Sequence, residues 1–266
     1  MAHDPHSMDA VERFTALMAR RGPSPDLDVA ALAIAAGADP ALDEAVWLAE
    51  LDRLAAGVDS LEGLVHRLFV EEGLSGNVAD YYNPRNCLLH EVLMRRLGIP
   101  ITLSVVCMEV GRRAGVPLEG IGMPGHFLIR PIGADRYLDA FAGGALLDLA
   151  GCEERFRLST GAGPNVTFGP HLLVTAPTRS ILARILANLR TIYSHLGQPA
   201  DLEWVLRMRL ALPGVGSAEI IELGQAIAQQ GRLLEAARVL EQQAEEWPQF
   251  ESTLTPAARA LRAQLN

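Results

Sequence analysis

Two stretches in the middle of this chain are stopped by the same three-residue device, Gly98-Ile99-Pro100 and Gly115-Val116-Pro117. Glycine releases the last helical turn, and proline cannot continue it. The stretches they end, about 86–97 and 102–114, are therefore predicted to be separate, sharply joined helices. After Pro117 the texture changes. Segments 118–122, 126–132, 136–141 and 145–149 are short strand-like runs, and Gly133-Ala134-Asp135 and Gly143-Gly144 separate them as tight turns. An antiparallel meander that follows helices, rather than alternating with them, predicts an α+β class.

Upstream, apolar spacing predicts helices over 11–20, 26–36, 42–56 and 60–72. Leu61, Leu64, Val65, Leu68 and Phe69 form one buried face of the last. A polar loop over 73–84 carries Tyr81 and Tyr82. From about 178 the chain is helical again. Gly197 and Gly231 stand 34 positions apart, and Leu189/Leu223, Tyr193/Ile227 and Leu206/Leu240 keep that offset. That is the period of tetratricopeptide repeats, each a helix pair. The predicted organisation is an α+β domain with a helical lead-in over 1–175 and a repeat-like all-α tail over 176–266. Two repeats are few for a free-standing solenoid.

With 23 basic and 32 acidic side chains the 266-residue chain carries a net charge of −9, which disfavours binding to phosphate backbones. No apolar run reaches the length of roughly 20 residues that spans a bilayer. The first residues have neither the basic start nor the apolar stretch of a signal peptide. Three widely spaced cysteines, Cys87, Cys107 and Cys152, make a poor disulfide framework and point to the cytoplasm. Cys and His are too scattered for a metal site, and Gly120, Gly122 and Gly125 do not precede a helix as a phosphate loop requires. No cofactor is expected.

Three long runs carry a resemblance. They are Tyr82-Asn83-Pro84-Arg85-Asn86-Cys87-Leu88-Leu89-His90-Glu91-Val92-Leu93, then Arg95-Arg96-Leu97-Gly98-Ile99-Pro100-Ile101-Thr102-Leu103-Ser104, then Pro124-Gly125-His126-Phe127-Leu128-Ile129-Arg130. In this order they are similar to the signature of the SirB-type branch of the transglutaminase-like proteins. The resemblance implies a papain-like domain followed by a repeat tail, in a bacterial, cytosolic protein.

Active members of that superfamily set a Cys at the start of a helix, a His on a following strand to take its proton, and an Asp on the next strand to orient the His. His126 and Asp139 match the second and third. Counting back from Gly115-Val116-Pro117, the superfamily's nucleophile position falls at or beside Pro100, which has no nucleophile. Thr102 and Ser104 offer only unassisted hydroxyls nearby. Cys107 reads as a core thiol among valines, and Cys152 lies outside the motifs. Cys87 stands at the start of the predicted 86–97 helix. It is either a capping or packing residue or a thiol acidified by the helix dipole. Asn83 and Asn86 either line the cleft or cap that helix, and Pro124 and Gly125 are further cleft candidates. His66 and His90 read as helix residues without a special role, and Arg85, Arg95 and Arg96 as solvated or paired charges.

Two functions follow. One is a degenerate, non-catalytic module that binds a peptide or protein, or regulates one. The other is a thiol hydrolase or amidase using Cys87 with His126 and Asp139. A third reading makes the tail alone functional and the first domain its platform.

Overall fold

The computed structural model describes residues 5–20, 22 and 24–265. The chain separates into two compact units. One comprises Ser24–Ala35 and Leu42–Ile185. The other comprises Ala36–Ala41 and Leu186–Asn266 together with the N-terminal stretch through Pro23, so the helical lead-in is divided between them. Among the described residues no helix is long and apolar enough to cross a membrane.

In the unit that ends at Ile185, α2 (Leu27–Ala35), α3 (Glu44–Ala55) and α4 (Leu61–Val65, continued by a π-helical turn His66–Glu71) come first. Asp43 and Ser60 cap α3 and α4, accepting hydrogen bonds from Ala45 N and Gly63 N. Strand β1 (Ser75–Gly76) pairs in parallel with β2 (Leu97–Gly98). Between them lie a 3₁₀ turn, Pro84–Cys87, and α5 (Leu89–Arg95). The long helix α6 (Pro100–Arg113) is the scaffold. Ile101, Leu103, Val105, Val106 and Val110 are all essentially without solvent contact. A helix apolar on nearly every side belongs in a core. It packs against α2, α3, α4 and α5 as well as the sheet.

The sheet has β3 (Leu118–Met123), β4 (His126–Pro131), β5 (Tyr137–Asp139), β6 (Ala145–Leu147) and β7 (Val174–Thr175) in the spatial order β6-β5-β4-β3-β7, every pairing antiparallel. The expected meander is thus present, with β7 added at one edge. Helix α7 (Leu149–Thr160) is not among the elements expected from the sequence, and it covers one sheet face. Its Cys152 and Phe156 join Ile121, Met123, Leu128 and Tyr137 in a buried cluster.

The predicted helix over 86–97 is corrected. Leu88 is extended (φ −97°, ψ 117°), so the chain breaks into the 3₁₀ turn and a shorter α5. The cause is Asn86, buried with all four of its side-chain hydrogen-bonding positions filled. Its Nδ2 donates to Asp80 O (2.7 Å) and Tyr81 O (3.2 Å), and its Oδ1 accepts from Asn77 Nδ2 (3.0 Å) and Arg95 Nη2 (3.0 Å). Helix α5 ends at Arg96, in the left-handed region at φ 59°, where glycine is the usual residue. Salt bridges from its guanidinium to Glu50 (2.7 Å) and Glu72 (2.8 Å) hold it there.

In the other unit, α1 (Pro5–Ala19) packs on α9 (Pro199–Leu210), and α9, α10 (Ser217–Gln229), α11 (Leu233–Glu246) and α12 (Glu251–Ala263) each pack on the next. Helix α8 (Thr178–Leu196) precedes α9 across a turn containing Gly197, and α10 precedes α11 across a turn containing Gly231. Both glycines have positive φ, 62° and 81°. Leu189, Leu223, Tyr193, Ile227, Leu206 and Leu240, the residues that share the repeat offset, are all buried.

Asn86→Ala would remove at once one hydrogen-bond partner each from Arg95, Asn77 and two loop carbonyls. We expect it to lower stability by about 2–4 kcal/mol, read as a lower urea midpoint at unchanged slope. A change within error would mean the loop carries its own fold.

Candidate functional site

His126 opens β4 immediately after the two-residue turn Pro124-Gly125. Met123 and His126 are the paired residues that close this hairpin. Gly125 sits at φ 75°, and a Cβ there would lie 2.8 Å from Thr160 Cγ2 and 2.9 Å from Ser159 Oγ. Glycine is therefore needed for both backbone and space. Pairing of Ile129 with Leu138 sets Asp139 opposite Leu128. Alternation along the strands then puts His126 and Asp139 on one face, diagonally across the ladder.

The two side chains meet there. His126 Nε2 is 3.0 Å from Asp139 Oδ1. His126 is 5 % exposed and Asp139 not at all. Asp139 also caps the short 3₁₀ turn Ala140–Ala142, accepting from Phe141 N (3.0 Å) and Ala142 N (3.2 Å). Arg155 Nε from α7 lies 2.9 Å from Oδ2, close enough for an ion pair but out of line for a hydrogen bond. Burial pushes this carboxyl up. The hydrogen bond and charge of His126, the Arg155 guanidinium and the Ala142 N–H outweigh that, and hold it below the ordinary carboxylate range. An ionised carboxylate can only accept, so Nε2 must carry the ring proton. Nδ1 is the ring nitrogen outside this pair. Among the described residues it has no hydrogen-bond partner, and the nearest aromatic neighbour is Phe141, edge-on at 6.2 Å. The arrangement is that of an oriented imidazole base.

The other expected residues fall differently. Pro100 is the first residue of α6 and is buried. Thr102 accepts from Ile99 N (3.2 Å) and donates to Asn86 O (2.6 Å), so its hydroxyl is fully engaged in the helix start. Ser104 is buried in the same helix. Cys87 is the last residue of the 3₁₀ turn, not the first of a helix, and the dipole argument for it does not apply. It is 2 % exposed, forms no hydrogen bond to His126, and burial pushes its thiol up to about 12. Cys152, in α7, is pushed up to about 11, by burial first and then by the charges of Asp148 and Asp139. Cys107 is raised by burial. Asn83 is a cap: it accepts from Arg85 N (3.0 Å) and donates to Asp80 Oδ2 (2.8 Å). Asn86 has no hydrogen-bonding capacity left for a ligand. Pro124 and Gly125 are exposed beside His126.

Sequence reasoning missed Arg155 and Phe141. Asp148 followed by Leu149, Cys152 and Phe156 at helical spacing was the available signal for α7, and hence for Arg155; Asp148 does accept from Gly151 N. Phe141 had no signal at all. It is held by Gly76, where a Cβ would come within 2.6 Å of its ring, and it bridges His126 to Tyr81 at 5.9 Å. Among the described residues no three His, Cys, Asp or Glu side chains gather as a metal site would need.

A buried His–Asp pair lies on adjacent strands that follow a buried helix. The chain belongs to the transglutaminase-like superfamily, whose sequence profile matches residues 33–187. Within it the chain belongs to the UPF0162 family. It is 36 % identical over 207 residues to the UPF0162 protein of Pseudomonas aeruginosa, covering 73 % of this chain and 75 % of that protein. It is 46 % identical over 131 residues to the UPF0162 protein of Xylella fastidiosa strain Temecula1, covering 48 % of this chain and about half, 47 %, of the relative's length. Human F-box only protein 21 is 34 % identical over 142 residues, 50 % of this chain and 21 % of that protein. No solved structure matched the chain.

Gly125→Ala forces a non-glycine residue to positive φ against Ser159 and Thr160. A loss of about 1–3 kcal/mol in urea unfolding is expected. Asp139→Asn tests the carboxylate. Because its folded value is depressed, its stabilisation is complete above the ordinary value of 3.8 and is lost as pH falls below that, through the folded value. The stability gap between wild type and Asp139→Asn should be constant near neutrality and shrink in acid. A gap independent of pH would show that the group is not held ionised.

Proposed function

We propose that this protein is a degenerate, SirB-type member of its superfamily, which holds a peptide or protein segment beside His126 and Asp139 without forming a covalent bond to it. One observation carries the reading: the helix that should present sulfur begins with Pro100, and all three thiols are buried with their pKa values raised. A thiol attacks as the thiolate, and a thiol pushed up to about 12 is essentially never ionised at neutral pH. The His–Asp pair then serves as an oriented donor–acceptor group at the binding surface. The 34-residue offset of Gly197 and Gly231 and the buried residues that follow it support a tetratricopeptide-like reading of the tail, whose type of surface takes protein partners. Net charge −9 argues against a nucleic-acid partner, and three unpaired thiols suit the reducing cytoplasm.

Iodoacetamide labelling followed by peptide mass mapping tests this. All three cysteines should react far more slowly than free glutathione at neutral pH, and His126→Ala should leave the rates unchanged. Fast labelling of Cys87 that is lost in His126→Ala would replace the binding reading with a thiol hydrolase.

A further inference from the structure

Asp139 uses its two oxygens unequally. Oδ1 meets three donors: His126 Nε2 (3.0 Å), Phe141 N (3.0 Å) and Ala142 N (3.2 Å). Oδ2 is buried and, among the described residues, accepts no hydrogen bond. It faces Arg155 Nε at 2.9 Å. That guanidinium is the one permanent cation paired with this carboxylate among the described residues. Arg155 is matched to it in turn. Arg157, two positions on, pairs with Glu153 four residues back on its own helix. The residues three and four positions from Arg155 are Gly151, Cys152, Leu158 and Ser159, so its helix offers it no acid. Its side chain is 30 % exposed, against 0 % for the carboxylate.

Helix α7 also touches the strand of the other partner. Ser159, one turn after Arg155, and Thr160 lie against Gly125 in the turn that leads into His126. Cys152 and Phe156 seat the helix on Leu128 and Tyr137, which alternation puts on the sheet face of His126 and Asp139. One helix thus fixes the turn before the imidazole and supplies the charge behind the carboxylate. The other ionisable groups on the surrounding elements are engaged elsewhere or exposed. Asp148 caps α7, Glu153 pairs with Arg157, and Glu154 and His171 are exposed. Glu119 and Arg130 pair across β3 and β4, and Arg130 also reaches the Tyr137 hydroxyl. Glu109 of α6 is held by Arg112 and Arg113. Arg184 of α8 donates to the carbonyls of Met123 and His126 and lies over Phe127, on the opposite side of β4 from the ring. The Cys152 thiol is pushed up to about 11 and burial raises the Tyr81 phenol, so neither is charged near neutrality.

We propose that Arg155 is a positioning residue for His126: acting through Asp139, it sets how readily the ring takes a second proton, and so whether Nδ1 meets the bound segment as an acceptor or as a donor. With the guanidinium at Oδ2, the ring faces a carboxylate whose charge is already answered. Without it, the ring is the nearest group that can compensate a buried anion, and a proton on Nδ1 is held more tightly. The inference rests on the reading of this site as the one that holds a segment beside His126.

The experiment uses the full-length chain with ¹⁵N-labelled histidine and arginine, followed by NMR from weakly alkaline to acid pH. In the unaltered protein the Arg155 Nε–Hε resonance should move with the same midpoint as the His126 ring nitrogens, because groups sharing one carboxylate report each other's titration. In Arg155→Gln the His126 profile should move to higher pH. Arg155→Lys, which keeps the charge without the fork, should bring it part of the way back. At a pH between the two midpoints, Nδ1 should carry a proton in Arg155→Gln and none in the unaltered protein. A His126 profile unmoved by Arg155→Gln, or one that Arg155→Lys does not bring back, overturns the proposal. If Arg155→Gln does not fold, the unaltered protein decides: an Arg155 signal flat across the His126 titration overturns it. Fast, His126-dependent labelling of Cys87 would remove the binding reading and leave the Arg155 effect standing. Inert thiols with an unmoved His126 profile would remove the Arg155 effect alone.

Discussion

The carboxylate of Asp139 is the point from which the site is organised. It is wholly buried, and it answers to three separate parts of the chain. It ends β5 by capping the 3₁₀ turn through Phe141 N and Ala142 N, it holds the His126 ring through Nε2, and it faces Arg155 from α7. A buried charge is tolerated only when it is paired and hydrogen-bonded, so these partners are conditions of folding as well as features of a site. The same bonds decide the tautomer of the imidazole. An orientation that a catalytic triad would use is therefore maintained here by the needs of a buried ion.

The helix that accompanies this pair has the opposite character. From Pro100 to Gly111 almost every residue of α6 is buried, and its first turn is fastened by Thr102 to the Asn86 carbonyl. Proline suits the first position of a helix, where its missing N–H costs nothing. Its side chain carries no nucleophile. The thiols elsewhere are core side chains. On the hairpin the imidazole is fixed by Asp139, and Phe141 and Tyr81 follow it in edge-on ring contacts.

Much of this was legible in the chain. The Gly-Ile-Pro and Gly-Val-Pro stops marked α5 and α6, the glycine turns marked the meander, and His126 and Asp139 were placed on adjacent strands. What failed did so for identifiable reasons. The 86–97 segment reads as one helix by periodicity, but buried Asn86 binds loop carbonyls of Asp80 and Tyr81 and breaks it. Cys87 consequently lost the helix start that would have made it acidic. The amphipathic signal of α7 is weak because much of its length is polar, and with it Arg155 was missed. Arg96 occupies a left-handed position because Glu50 and Glu72 bind it, which no local rule anticipates.

By itself, then, the sequence determined the order of elements, the α+β class, the 34-residue rhythm of the tail and the absence of sulfur at the start of α6, since periodicity, turn chemistry and residue identity are local. Only the tertiary structure decided which ring nitrogen of His126 faces Asp139, which thiols are buried, and which distant ion pairs form. Those properties depend on burial and on partners distant in the chain, such as Arg155 for Asp139 and Glu50 for Arg96. Desolvation and long-range pairing set them, and neither is written in any short window of residues.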